Sequence, residues 1–366
     1  MTDKVAFISG GAGFIGSRLV AALRPHISRI VVFDNLHPQV HGAEARAPDL
    51  GSGVQFIRGD VTDAAALRDA VCDARPTLVF HLAAETGTGQ SYDEPARYNN
   101  VNVMGTAWLV EALRAARQDG APKCRVVLAG SRAVYGEGAY RTPEGDLVVG
   151  PVRTPEDLSA GRYIPVLPGK GQLTPCPTPE TLMPAPASVY ASTKLMQEYL
   201  LEQCAAEGDF EAVLLRFQNV YGPGQSLRNP YTGVLSIFSS QVLSGKSLEL
   251  YEDGEIARDF VFVDDVVSSL MAAGLAGTPP VGPVNIGSGY PATIRQVAET
   301  LLARLGSDRN KYSVSGKYRP GDIRYAVADI TRAQSLLGWT PNVSLDEGLT
   351  ALADWAKEIY AREGRL

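Results

Sequence analysis

The sequence predicts an α/β protein, a doubly wound parallel sheet followed by a smaller C-terminal α/β lobe, and three observations predict it. Short apolar runs alternate with helical patterns from the N-terminus onward. The first run passes straight into the glycine-spaced turn Gly10-Gly-Ala-Gly13-Phe14-Ile15-Gly16 and then into a helix. Later, Tyr190-Ala-Ser-Thr-Lys194 sets a phenol and an ammonium four residues apart, on one face of a further helix. At 366 residues the chain is long enough for a large core and two lobes.

The first strand is Lys4-Val-Ala-Phe-Ile-Ser9. Glycines at positions 10, 13 and 16 permit a tight turn and close backbone approach to a pyrophosphate, seated at the positive end of the helix patterned from Ser17 to Leu23. That is a dinucleotide cradle, and it makes the sheet Rossmann-type. The run Arg29–Asp34 ends in a carboxylate at the distance where such folds hydrogen-bond the adenosine ribose. Asp34 favours NAD over NADP, because a carboxylate repels a 2′-phosphate and Asn35-Leu36-His37 offers no arginine to receive one; a solvated strand-end residue is the other reading.

Val54–Ile57 reads as a strand and Ala64–Cys72 as a helix. Between them Asp60 and Val61 are placed to reach the adenine, helix capping being the other use and suiting Thr62 or Asp63 better. Thr77–His81 is a buried strand leading into Leu82-Ala83-Ala84, small enough for the chain to pass close to a cofactor; His81 reads as a packed strand-end residue. A long helical pattern from about Asp93 to Gln118 follows, then the strand Arg125–Ala129. Ser131 stands at that strand's carboxyl end, where open α/β sheets place their ligands, and can hydrogen-bond a substrate oxygen while Tyr190 handles its proton. A free tyrosine has a pKa of about 10, and a lysine held beside it stabilises the phenolate, which makes a base.

Composition excludes several classes. With 45% apolar and 20% charged residues, a net charge of −6 and scattered lysines and arginines, the sequence gives no sign of a nucleic-acid or membrane surface. There is no secretory leader before the first strand and no bilayer-length apolar run, so the expected compartment is the cytoplasm. Cys72, Cys124, Cys176 and Cys204 lie far apart without a Cys-x-x-Cys pair, which argues against a disulfide framework and against a metal site.

Taken in order, Gly10-x-x-Gly13-x-x-Gly16, Asp34, Asp60-Val61, His81-Leu-Ala-Ala84, Asn102-x-x-Gly105-Thr106, Ser131 before Val134-Tyr-Gly136, and Tyr190-x-x-x-Lys194 form one series. With them, nearly the whole chain resembles the extended short-chain dehydrogenase/reductases of the nucleotide-sugar epimerase and dehydratase type. Arg216-Phe-Gln-Asn219-Val-Tyr-Gly-Pro-Gly224 and Arg258-Asp-Phe-Val-Phe-Val-Asp264-Asp265 resemble that family's sugar-binding and diphosphate-binding segments. The resemblance implies NAD as cofactor, held by Gly10, Gly13, Phe14, Ile15, Gly16, Asp34, Asn35, Asp60, Val61, Leu82, Ala83, Ala84, Asn102, Tyr190, Lys194 and Phe217. It implies a nucleotide-diphosphate sugar as substrate, bound by Thr88, Gln90, Ser131, Asn219, Gln225, Tyr251, Arg258 and Arg319. Surface salt bridges for the two arginines and a strand-to-turn role for Tyr251 are the alternatives. Ser131, Tyr190 and Lys194 are the implied catalytic residues, with Lys194 lowering the tyrosine pKa and binding the nicotinamide ribose. The implied domains are 1–218 for NAD and 219–366 for the nucleotide sugar, with about 259–275 returning to the first, and the implied assembly is a homodimer through helices near 93–118 and 187–207.

Family dehydratases carry an Asp-Glu pair directly after the catalytic serine or threonine, as a general acid and base for C5 and C6. Arg132-Ala133 stands there in this chain, which argues against 4,6-dehydration and leaves C4 epimerisation as the expected reaction. A nucleotide-4-keto-sugar reductase and a cofactor-binding sensor without chemistry are the alternatives. Between Glu137 and Ala187 lies an insertion holding ten of the 24 prolines. It reads either as a disordered linker or as a lid packed through Tyr140, Leu147, Val148, Val149, Tyr163, Ile164, Val166 and Leu167. Together with Thr86-Gly-Thr-Gly-Gln90-Ser91, this insertion resembles that of bacterial epimerases acting on dTDP-6-deoxyhexoses; UDP-glucose or UDP-N-acetylglucosamine is the alternative substrate.

Overall fold

The computed structural model describes residues 4–42, 45–46, 49–229, 233–319 and 321–364. Seven parallel strands form the central sheet: β1 (Val5–Ser9), β2 (Arg29–Asp34), β3 (Val54–Arg58), β4 (Leu78–His81), β5 (Cys124–Ser131), β6 (Phe210–Phe217) and β7 (Pro283–Ile286). Their order is β7-β6-β5-β4-β1-β2-β3, so the chain winds outward from β1 in one direction and then in the other. β1 pairs with both β2 and β4, Ala6 standing opposite Ile30 on one side and Leu78 on the other.

Helices cover both faces, which is why these strands read as continuous apolar runs rather than as alternating ones. On one face Leu19, Val20 and Leu23 of α1 (Phe14–Leu23) pack with Val266, Leu270 and Ala273 from the helix Val263–Leu275. On the other, Leu67 and Val71 of α2 (Ala64–Ala74) pack with Leu109 and Leu113 of α3 (Gly105–Gln118) and Leu201 of α4 (Val189–Ala205). A separate apolar cluster, including Leu235, Phe238, Leu250, Phe260, Val297, Leu301 and Leu352, is built from residues after Asn219.

Three features differ from the sequence pattern. The Asp93–Gln118 helix is interrupted by a π-helical turn, Asn99–Met104, between the short helix Pro95–Tyr98 and α3. Edge strand β7 comes from the C-terminal half; Pro283-Val-Asn-Ile is too short and too closely flanked by glycine and proline to announce itself locally. The proline-rich insertion is packed: Ala139–Arg141, Leu147–Val149 and Thr174–Pro175 make a small antiparallel sheet, and Pro155–Ser159 makes a helical turn. No helix among the described residues is long and apolar enough to cross a membrane.

Candidate active site

Sterics set the glycine turn. Gly10 has φ +74°, and a Cβ there would lie 2.6 Å from the Ala83 nitrogen; a Cβ at Gly16 would lie 2.5 Å from the Gly10 carbonyl oxygen. Helix α1 starts at Phe14, three residues before its apolar pattern, because Gly13 in an extended conformation is its N-cap and contributes no capping side chain. The leading N–H groups of α1 are therefore left for an anion. Asp34, 8% exposed, accepts from Ala12 N at 3.0 Å and Leu36 N at 2.8 Å, tying the turn to the end of β2. Each of its oxygens keeps further acceptor capacity. Asn35 Nδ2 donates to Asp60 at 2.8 Å, and both the N–H and the hydroxyl of Thr62 donate to the same carboxylate. Burial pushes the Asp60 carboxyl up, but these hydrogen bonds outweigh it and leave the group below its ordinary value. The capping role falls to Asp63, which accepts from Ala66 N.

Asp34, Asn35 and Asp60 line one solvent-open cleft of about 780 Å³ with Gly10, Gly13, Val61, Leu82, Ala83 and Ala84. It is also lined by residues that the sequence pattern did not assign to a cofactor: His37, the N-cap of the short turn Pro38–His41, Gln39, Val40 and His41 on that turn, and Glu85 and Thr86 after β4. One signal for that turn was present, since Pro38 sits at its first position and His37 Nδ1 accepts from Gln39 N. Glycines that tolerate no Cβ, an uncapped ten-residue helix and a carboxylate at the end of β2 fit the pyrophosphate and adenosine of a dinucleotide. Phe14, Ile15 and Gly16 form the opening of α1 beside the cleft. Asn102 reaches the cleft indirectly: it is fully buried, with Oδ1 accepting from Glu85 N and Nδ2 donating to Glu85 O and Thr193 Oγ1. The π turn puts it there, between the loop after β4 and α4.

Ser131 is the last residue of β5, 9% exposed, and faces Phe217 in register at the end of β6. Its hydroxyl, which accepts from Ala133 N at 3.2 Å, acts on Tyr190, the second residue of α4, whose N-cap Ser188 accepts from Ala191 N at 3.1 Å. The Tyr98 ring meets the Tyr190 ring edge-on, centroids 6.4 Å apart. Burial raises the Tyr190 pKa, and the Ser131 hydrogen bond and the Arg132 charge only partly oppose it. Lys194, one turn on and 4% exposed, donates from Nζ to the Ala129 carbonyl at 3.0 Å. Burial lowers its pKa to about 8, with Glu198 acting the other way. One of the three donors of Lys194 is thus used by the strand-end carbonyl.

The expected substrate residues are engaged at several separate places. Arg258 donates to Asp322 at 2.9 Å, and Arg319 lies over the Tyr251 ring, 5.0 Å from its centroid; Pro320, next in the Arg319-Pro-Gly-Asp322 motif, lies outside the described residues. Asn219 joins a two-stranded pairing with Phe260. Gln90 is buried and engaged with Gln39 and Glu94, and Gln225 with Val220 and Ser236; Thr88 is exposed. Among the described residues, no group of three or more histidines, cysteines or acidic residues is arranged to hold a metal ion, and all four cysteines are free.

A doubly wound sheet carrying a dinucleotide cradle and a Ser-Tyr-Lys set at the end of β5 defines a short-chain dehydrogenase/reductase type of enzyme. The chain belongs to the NAD-dependent epimerase/dehydratase family, whose model matches residues 6–157 and 168–287 and breaks only inside the insertion. It is an NAD-dependent nucleotide-sugar epimerase. It is similar to the dTDP-L-rhamnose 4-epimerase of Burkholderia thailandensis, 38% identical over 98% of this chain and 97% of that protein. A UDP-glucose 4-epimerase of Mycolicibacterium smegmatis is 32% identical over 95% of this chain and 97% of its own. Among solved structures, the UDP-glucose 4-epimerase of Thermotoga maritima with UDP-glucose superposes with a TM-score of 0.78 at 30% identity, covering 97% of this chain and 99% of that one.

Proposed function

We propose that the protein inverts C4 of a nucleotide-diphosphate sugar through a transient 4-keto-sugar, and that its substrate is dTDP-L-rhamnose, converted to dTDP-6-deoxy-L-talose. The observation that carries the reaction is Ser131 at the end of β5 acting on Tyr190 at the start of α4, with Arg132-Ala133 following the serine in place of a dehydratase's acid and base. Similarity to the Burkholderia thailandensis 4-epimerase at 38% identity supports the sugar. The Mycolicibacterium smegmatis relative and the Thermotoga maritima structure support UDP-glucose as the second reading.

In this reading residues 1–218 bind NAD, which serves as reversible hydride acceptor, and 219–366 bind the nucleotide sugar. Gly10, Gly13 and the start of α1 receive the pyrophosphate, Asp34 the adenosine ribose, and Lys194 the nicotinamide ribose. Tyr190 takes the proton from the C4 hydroxyl oxygen and gives it back to that oxygen once the 4-keto-sugar has turned its opposite face to the cofactor, which would supply the reversible hydride exchange at C4, while Ser131 holds the oxygen. Arg258 and Arg319 grip the diphosphate. The enzyme works as a homodimer in the cytoplasm, a reducing compartment that suits four free cysteines.

Incubation with dTDP-L-rhamnose, UDP-glucose and UDP-N-acetylglucosamine in turn, without added cofactor and with products resolved by NMR, tests the proposal. Expected is a C4 epimer from dTDP-L-rhamnose, and none from Tyr190→Phe, which keeps its NAD. Turnover in Tyr190→Phe at the wild-type rate refutes the mechanism; a product from a UDP-sugar alone refutes the substrate.

A further inference from the structure

Arg216 opens the segment that resembles a sugar-binding one, yet its side chain is turned inward and the residue is only 4% exposed. It stands on β6 in register with Gly130 of β5 on one side and Asn285 of β7 on the other. All three of its side-chain nitrogens are engaged. Nε donates to Glu198 at 2.9 Å and Nη2 to the same carboxylate at 2.6 Å, a fork-on-fork pair. Nη1 donates to the Tyr135 hydroxyl at 2.7 Å, with the guanidinium carbon 4.7 Å from the centroid of that ring. The Tyr135 hydroxyl donates onward to Asn285 Oδ1 at 2.9 Å, and Asn285 Nδ2 donates to the Thr178 carbonyl of the insertion at 2.9 Å. Glu198, Tyr135 and Asn285 are buried throughout. Gly130 makes room for the carboxylate, since a Cβ there would lie 3.3 Å from Glu198 Oε1 and 2.6 Å from the Leu215 carbonyl oxygen.

This chain of bonds joins the two elements that carry Ser131 and Tyr190. Glu198 follows Tyr190 and Lys194 at four-residue steps, on one face of α4. Tyr135 closes the 3-10 turn Arg132–Tyr135, whose N-cap is Ser131. A buried ion pair adds little stability over apolar side chains of the same volume, so its use here is geometric. We propose that Arg216 and Tyr135 are positioning residues for the epimerisation: they clamp the turn behind Ser131 to α4, so that the serine hydroxyl and the Tyr190 phenol meet the same sugar oxygen. This rests on the reading of Ser131 and Tyr190 as the groups that handle the C4 hydroxyl. A misplacement of about 1 Å at such groups costs about 100-fold in rate, and the clamp lies one short turn from the serine and two helical turns from the tyrosine.

Two variants test the clamp. Tyr135→Phe removes only the hydroxyl, and Glu198→Leu combined with Arg216→Met replaces the ion pair by apolar side chains of similar size, a change that folded proteins tolerate. Rates are read per protein-bound NAD and well below each variant's thermal midpoint, so that unfolded chains do not count. Both variants should show a kcat about tenfold lower or more, with KM within about twofold of the wild type. Hydrogen exchange should rise across Arg132–Tyr135 while β1 stays protected. A wild-type kcat in either folded variant, or a turn as protected as in the wild type, overturns the proposal and leaves the pair a packing element. A raised KM with an unmoved kcat overturns it as well, and moves the network to substrate binding. Should Tyr135→Phe fail to fold, the double variant carries the same expectation. An active Tyr190→Phe sinks the proposed function, whereas an inactive Tyr190→Phe beside a fully active Tyr135→Phe sinks only the clamp.

Discussion

His81 was legible as a packing residue from its place at the end of an apolar strand, but its partners were not, because they come from three distant segments. Nδ1 meets Ser9 Oγ at 2.7 Å, and Nε2 meets Thr106 Oγ1 at 2.9 Å, which in turn accepts from Gln197 on the helix that carries Tyr190 and Lys194. Burial, with Lys194 adding to it, lowers the His81 pKa from 6.5 to about 3. In the unfolded chain the imidazole protonates as the pH falls below 6.5, and in the folded one it does not, so stability is lost on acidification across that window. Between pH 6.5 and pH 5 the loss is about 2 kcal/mol. Denaturant unfolding at the two pH values should show this increment in the wild type and not in His81→Gln; equal pH dependence in the two proteins would sink the assignment. The glycines and the Tyr-Lys pair could be read from sequence because short-range sterics and helical spacing dictate them. The bonds of Asn102 could not, because they depend on which segments the fold brings together.

The insertion shows the same division at the level of elements. Ten prolines argued against regular helix or central strand, and what forms respects that: Thr174–Pro175 is an edge strand, where a missing N–H is tolerated, and Pro155 opens its helical turn. Burial could not be read off the apolar side chains. Tyr140, Leu158 and Leu173 are buried, yet Leu147, Ile164 and Val166 are exposed, and charge adds to the apolar packing that holds the segment. Arg153 donates to Glu252 at 2.7 Å and to the Asp322 carbonyl at 2.8 Å and lies 3.7 Å from Glu137, all three side chains almost wholly buried; Arg324 joins Glu252 to Asp253. Neutralising one member of such a cluster leaves unpaired buried charge, which costs about 3–5 kcal/mol. Arg153→Ala should therefore release the insertion from the segments around Glu252 and Asp322 while the parallel sheet stays intact. Hydrogen exchange would rise across 137–187 and not in β1, β4 or β5; protection that is unchanged across the insertion would show that apolar packing suffices to hold it.

For the whole molecule, the alternation of strands and helices made the sheet legible, whereas β7 was not, because a four-residue edge strand gains its identity only by pairing with β6. The outer surface bears on assembly. Scattered exposed apolar residues are ordinary on any protein. Here Tyr92, Met104, Met196 and Tyr199 are all exposed, and they sit on α4 and on the helical segments of residues 90–118 that pack against it. Met196 and Tyr199 are three residues apart, so they share one face of α4, the helix that also presents Tyr190 to the site. Pairing α4 with its copy across a two-fold axis would bury that face twice over, and a single substitution on it is then repeated in both subunits. Met196→Glu sets two carboxylates against an apolar face, and burying an unpaired charge is far costlier than losing the methionine contacts. Light scattering should give twice the chain mass for the wild type and the chain mass for Met196→Glu, with NAD retained in both because the cofactor cleft lies on the turn after β1 and the loop after β4. A variant that stays dimeric would move the interface to another face, and a monomeric wild type would leave these four side chains without a common purpose.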